Sequence, residues 1–254
     1  MRLLFFLLLS TTLPALAAER VIHVFVALCD NASQGIQPVP AKIGNGDDPA
    51  NNLYWGCDGV PAVFAKSKAW KRMAAADPDG EGPVLERVVY FHSGSGAWLV
   101  ADGYRGREIK TCLTDYLAAM AGTLKCEALA GEKKIAAGGA ADLIVYAGHN
   151  GLMEFQLPTP EPAAANRPKA AVALCCLSRS YFPGHMQALK ATPLVLTSQL
   201  MYPAGTVIHA VVNGWLAGKD GAACVDIAGA AYAANQKISK KAATGVFCTG
   251  FPEK

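Results

Sequence analysis

The chain has 254 residues, 52% of them hydrophobic and 17% charged, with a formal net charge of +3 at pH 7. That is enough apolar side chain for a large buried core, which excludes disorder as the main state. Like charges cluster no further than pairs such as Lys133-Lys134 and Lys240-Lys241, so the basic footprint of a nucleic-acid binder is absent.

Met1 to Leu9 carries one positive charge followed by a short apolar run, and Pro14-Ala15-Leu16-Ala17-Ala18 supplies small residues for cleavage. This is the pattern of a secretory signal peptide over residues 1–18, leaving 19–254 as one exported α/β domain in a periplasmic or extracellular compartment. The run is too short for a comfortable membrane crossing, and no later stretch approaches the roughly 20 apolar residues of a membrane span. Export permits disulfides among the eight cysteines. Cys112 with Cys126 and Cys224 with Cys248 would close modest loops, while many other pairings stay open. CxxC pairs and Cys/His clusters at zinc spacing are missing, so no metal or organic cofactor is implied.

Along the chain, apolar runs of strand length alternate with Ala-rich stretches of helical pattern, which predicts a mostly parallel sheet covered by helices on both faces. Val21 to Leu28 reads as the first strand, followed by a Gly/Pro/Asn/Asp-rich connection over 30–52, long enough to be a functional loop or a poorly ordered one. A helix is expected over 58–75, a second strand over Val84 to Phe91, and a helix over 107–121 built around Leu113, Leu117 and Met120. The third, fourth and fifth strands are Asp142 to Ala147, Ala170 to Cys175 and Pro193 to Ser198, each almost continuously apolar as a doubly covered strand must be. Between the third and fourth, the Pro-rich 157–168 cannot be regular helix. The last third is helical in pattern over 204–217 and 224–237.

Ligands of open α/β sheets bind beyond the carboxyl ends of the strands. The third strand runs into Gly148-His149-Asn150-Gly151 and the fourth into Cys175-Cys176-Leu177-Ser178. If these strands are neighbours, their ends lie about 5 Å apart, and a histidine acid/base can share a substrate with a cysteine nucleophile. The order His then Cys disfavours the papain class, which places the Cys first. Cys176 also reads as a buried small hydrophobe or half of a disulfide, including a strained vicinal one with Cys175. His92, where Val88 to His92 enters Ser93-Gly94-Ser95-Gly96, is a rival base; His23, His185 and His209 have no partner motif and read as structural or surface residues. Asp47 and Asp48 lack the ligand spacing of an EF-hand.

The two strand ends resemble the caspase-like cysteine peptidases, the group of caspases, metacaspases, legumains and gingipains. In that group an apolar strand ends in His-Gly and the next ends in Cys-x-Ser. Leu174-Cys175-Cys176-Leu177-Ser178-Arg179 is similar in register to the metacaspase form Asp-Cys-Cys-His-Ser-Gly, and Leu53 to Asp58 is similar to the Leu-x-Gly-Cys segment before the first helix. The likeness spans residues 50 to 215 in element order, with two short specific stretches. It implies a three-layer αβα sandwich and a cysteine endopeptidase acting on peptide or protein substrates, with Cys176 as nucleophile, Cys175 as its buried neighbour and His149 as acid/base. The oxyanion hole would be formed by backbone N–H groups of Cys176 and of Asn150 or Gly151. In members that cut after basic residues an acidic side chain in this region binds the substrate cation, a role open to Asp30 and Asp58 beside turn formation and helix capping. Three positions depart from the family pattern: Asn150 for Gly, Leu174 for Asp and Arg179 for Gly. Asn tolerates a left-handed backbone best among non-glycine residues. The alternative is a catalytically impaired caspase-like binding or regulatory domain.

Overall fold

A computed structural model of the protein describes residues 19–74 and 81–252. The expected signal peptide, 1–18, lies outside the described residues.

Among the described residues the strands are β1 (Val21–Ala27), β2 (Trp70–Met73), β3 (Val84–His92), β4 (Trp98–Tyr104), β5 (Lys125–Ala130), β6 (Lys133–Gly138), β7 (Leu143–Ala147), β8 (Lys169–Leu174), β9 (Ala191–Thr197) and β10 (Phe247–Cys248). Eight of them form one sheet in the order β10-β9-β8-β7-β1-β4-β3-β2. β4, β1, β7, β8 and β9 run parallel; β3 runs against them, pairing antiparallel with β4 and with the edge strand β2, and β10 pairs antiparallel with β9 at the other edge. The helices are α1 (Val60–Phe64), α2 (Ile109–Ala121), α3 (Ser178–Tyr181), α4 (Pro183–Ala188), α5 (Gly205–Leu216), α6 (Gly221–Gln236) and α7 (Lys240–Thr244).

Alternation along the strands sorts the core into two halves. Ile22, Val24 and Val26 of β1 pack with Val207 and Val211 of α5 and Tyr232 of α6, while Phe25 and Ala27 pack with Leu113, Leu117 and Met120 of α2 and with Phe182. The second face is completed by a β5–β6 hairpin instead of a helix: Ala128, Ala130, Ile135 and Ala137 cover Val89, Trp98 and Val100. The molecule is therefore an α/β protein with a large, mostly parallel mixed sheet between two layers. Among the described residues no helix is long and apolar enough to cross a membrane.

Two of the expected elements take another form, and β4, β5, β6, β10, α3, α4 and α7 lie outside the sequence-based expectation. The 58–75 segment is a short α1, with Pro61 in its first turn, followed by the edge strand β2. Trp70 explains the change: its ring packs on Phe64 and His92 and its Nε1–H donates to Asn213 (3.0 Å), which favours pairing β2 with β3 over prolonging a helix. The strand from Val84 runs antiparallel because β4 follows after only a five-residue Gly-rich turn, too short for a parallel crossover. The helices expected over 107–121, 204–217 and 224–237 are present as α2, α5 and α6, with Leu113, Leu117 and Met120 all buried in α2. α6 starts earlier than expected because the Asp220 carboxylate caps it, accepting from the Ala223 N–H at 2.9 Å.

The connection over 30–52 holds no helix or strand, yet buried amides pin it down. Asn52 accepts from the Cys29 N–H (3.0 Å) and donates to the Cys29 and Asn45 carbonyls (2.8 and 2.9 Å). Gln34 donates to the carbonyls of Leu28 and Gly106 (2.8 and 3.0 Å). The Pro-rich 157–168 is likewise free of helix and strand. All eight cysteines are free thiols, so neither 112–126 nor 224–248 is bonded, and Cys175 and Cys176 form no vicinal bridge.

Candidate functional site

β7 and β8 are paired in parallel with Ala147 opposite Leu174, which brings the segments after them side by side at the carboxyl edge of the sheet. The chain leaves β7 at Gly148, where φ is +146° and an added Cβ would lie 2.9 Å from the Ala27 carbonyl. The left-handed requirement thus falls on a glycine before the histidine; Asn150 itself has φ −83° and needs no such tolerance. After β8 the backbone turns left-handed at Leu177, φ +53°, a conformation that costs a non-glycine residue roughly 1 kcal/mol or more. The Leu177 N–H donates to Gln199 (3.0 Å), and the buried Ser178 hydroxyl donates to the Ala173 carbonyl (2.8 Å), which hold the turn in place.

His149 and Cys176 both line an open cleft of about 480 Å³, together with Gly148, Met201 and residues of the 30–52 connection. His149 is 8% exposed, and its Nε2 lies 2.6 Å from Glu154 Oε1. The same oxygen accepts from the Gly35 N–H at 2.7 Å, a contact that an added Cβ at Gly35, 2.2 Å from it, would obstruct. The other ring nitrogen, Nδ1, has no hydrogen-bond partner among the described residues. The His149 carbonyl accepts from Tyr146 (2.5 Å), anchoring the histidine to the core. The Cys176 sulfur is partly exposed and meets the Met201 N–H at 3.4 Å and the Met201 carbonyl at 3.5 Å. Its neighbour Cys175 is wholly buried, and burial pushes that thiol well above the usual range, so Cys176 is the thiol offered to a ligand.

Asn150 joins the two segments: it is fully buried, its amide donates to the Cys176 carbonyl at 2.6 Å, and its side-chain oxygen accepts from Leu152 (3.2 Å). Asn150 and Gly151 sit behind the cleft and do not line it, and the Gly151 N–H is engaged by the His149 carbonyl at 3.1 Å. The Cys176 N–H has no partner among the described residues.

Asp30 and Asp58 do not line the cleft either. Asp30 closes a local turn, accepting from the Ala32 N–H (2.9 Å) and the Ser33 hydroxyl (2.5 Å), and Asp58 accepts from Asn235 (3.1 Å). Both side chains are held by neighbours, and Asp58 lies against the hydroxyl of Tyr202, a lining residue. His92 caps its own turn through Ser95 (2.9 Å), at the end of an antiparallel strand. The registers place it at the amino edge of the parallel strands, remote from Cys176.

Sequence reasoning did not find Glu154 or the structural role of the Asn150 amide. The one available signal for Glu154 was its place five residues after His149, made meaningful by the tight helical turn Gly151–Met153 that folds it back. His23, read from the sequence as a structural or surface residue, is structural: it is fully buried, with Nε2 3.0 Å from Asp102 and Nδ1 accepting from the Gly138 N–H at 2.9 Å. Arg87 clasps both oxygens of Asp102 at 2.6 and 2.8 Å. Cys126 approaches this group closely enough for a three-residue metal site. The donors do not fit one, because each imidazole nitrogen and each carboxylate oxygen already has a hydrogen-bond partner.

Comparison of the chain with protein-family models, with curated proteins and with solved structures finds no match.

Proposed function

We propose that the chain is a caspase-like cysteine endopeptidase, exported by way of residues 1–18, whose layered α/β architecture is that family's sandwich. The observation that carries this reading is the shared cleft: an imidazole and a partly exposed thiol at the ends of paired parallel strands, with a carboxylate on one ring nitrogen. In the reaction, the Cys176 thiol passes its proton to His149 and the sulfur attacks the peptide carbonyl carbon. The C–N bond then breaks as His149 protonates the leaving amine. Water, deprotonated by His149, hydrolyses the thioester and the proton returns to sulfur. Glu154 is a positioning residue that fixes the ring. The Cys176 N–H is the oxyanion donor on the cleft.

A second reading, a binding or regulatory domain with impaired turnover, is favoured by one feature: Asn150 and Gly151 lie behind the cleft, leaving the oxyanion a single backbone donor among the groups the family pattern supplies. Limiting iodoacetamide under reducing conditions, followed by peptide mapping, tests the nucleophile, with the exposed Cys57 as internal reference. Cys176 is expected to react first, and Cys176→Ala to abolish hydrolysis of a peptide-ester and peptide-amide panel. Modification of Cys57 with Cys176 untouched, or hydrolysis surviving Cys176→Ala, overturns the endopeptidase. Fast alkylation without turnover selects the binding domain.

A further inference from the structure

The cleft around Cys176 is lined almost wholly by apolar and aromatic side chains. Tyr54, Tyr202 and Tyr232 flank it, and the hydroxyls of two of them are tied within the chain: Tyr202 reaches the Leu53 carbonyl at 3.4 Å, and Tyr232 accepts from the Tyr202 N–H at 3.1 Å. Their rings are left as the recognition surface. Leu200, 69% exposed, and Met153, 41% exposed, add apolar side chains that a ligand can cover. Apart from His149, no described lining residue is acidic or basic. The nearby Glu154 carboxylate gives its Oε1 to the His149 ring and the Gly35 N–H and is not part of the lining. A lysine, arginine or aspartate side chain entering this space would lose water against a lining that holds no carboxylate and no basic group besides His149.

We infer that the cleft selects a large apolar side chain, aromatic or long aliphatic, at the residue whose carbonyl faces Cys176; this rests on the peptidase reading of the same site. The volume of about 480 Å³ falls in the range typical of small-ligand pockets and accommodates such a group. The specificity differs from the basic preference that Asp30 and Asp58 would have created had they lined the cleft.

The test compares otherwise identical peptide substrates carrying Phe, Leu, Met, Lys, Arg or Asp at the scissile position. The kcat/KM values for Phe, Leu and Met are expected to exceed those of the charged residues by at least about tenfold. Leu200→Glu, an exposed change, should raise the Lys substrate relative to the Phe substrate. Cys176-dependent turnover that favours a charged residue overturns the specificity and leaves the peptidase standing. A second measurement needs no turnover: N-acetyl amides of Phe, Leu, Lys and Asp are titrated into the Cys176→Ala protein and followed by NMR shifts of the tyrosine ring signals. Saturable binding of the apolar amides alone supports the inference even if the peptidase fails; equal or stronger binding of a charged amide, or no binding of any, overturns it.

Discussion

Two histidines of this molecule are paired with carboxylates, one at the open carboxyl edge of the sheet and one sealed beneath the β5–β6 hairpin. His149 meets Glu154 at 2.6 Å and keeps its other ring nitrogen unengaged beside a cleft that also holds Cys176. His23 meets Asp102 at 3.0 Å, but its second nitrogen accepts a backbone N–H, its carboxylate is clasped by Arg87, and the ring has no solvent exposure. A thiol lies near each pair. Burial pushes Cys126 up to about 11, while Cys176 borders the cleft. The same three residue types therefore give two outcomes, and access together with one unengaged ring nitrogen separates a group open to a ligand from a structural clamp.

The sharpest way to break this comparison is to remove the buried carboxylate. Asp102→Ala strands Arg87 and His23 without their partner and should lower unfolding free energy by about 3–5 kcal/mol in a denaturant titration. A loss below about 1 kcal/mol would mean that the clamp is not structural. Alkylation of Cys176 in the folded variant should keep its wild-type rate.

Acid acts on the same group. Burial alone would raise the Asp102 carboxyl, but the hydrogen bonds and charges of Arg87 and His23 outweigh it and hold the group at about 2. An unfolded aspartate titrates near about 4, so the stabilisation is complete above pH about 5 and disappears as pH falls through the native value. Its size is about 2–3 kcal/mol. Unfolding free energies measured between pH 5 and 2 should fall more steeply for the wild type than for Asp102→Asn, and parallel curves would refute the assignment.

The smallest effect concerns the open pair. Glu154→Gln preserves an acceptor for the His149 ring but removes the charge, so kcat should fall at least about tenfold with KM little changed. Because Glu154 is exposed at the rim, stability should move by no more than about 0.5 kcal/mol. A rise in KM with kcat intact would instead assign Glu154 to substrate binding.

Much of the architecture is legible in single stretches of chain. β1, β7, β8 and β9 announce themselves as nearly unbroken apolar runs, since a strand covered on both faces needs apolar residues at every position. The helical periods of α2, α5 and α6 are equally local. β4 was hidden because Asp102 and Gly103 interrupt its apolar run, and only the pairing with Arg87 and His23 makes an aspartate buried there tolerable. The β5–β6 hairpin was hidden because its alternation is built from alanines against lysines, a weak contrast.

At the site, the sequence by itself determined that a histidine and a cysteine end two successive strands, because strand ends follow from local apolar pattern. Only the tertiary structure decided that these strands are neighbours, that Glu154 turns back onto the ring, that Asp30 and Asp58 are not lining residues of the cleft, and that His23 belongs to a buried clamp. Those facts depend on contacts between residues far apart in the chain, or on where a short turn aims a side chain. Hydrophobic periodicity records which face of an element is buried, not what lies against it.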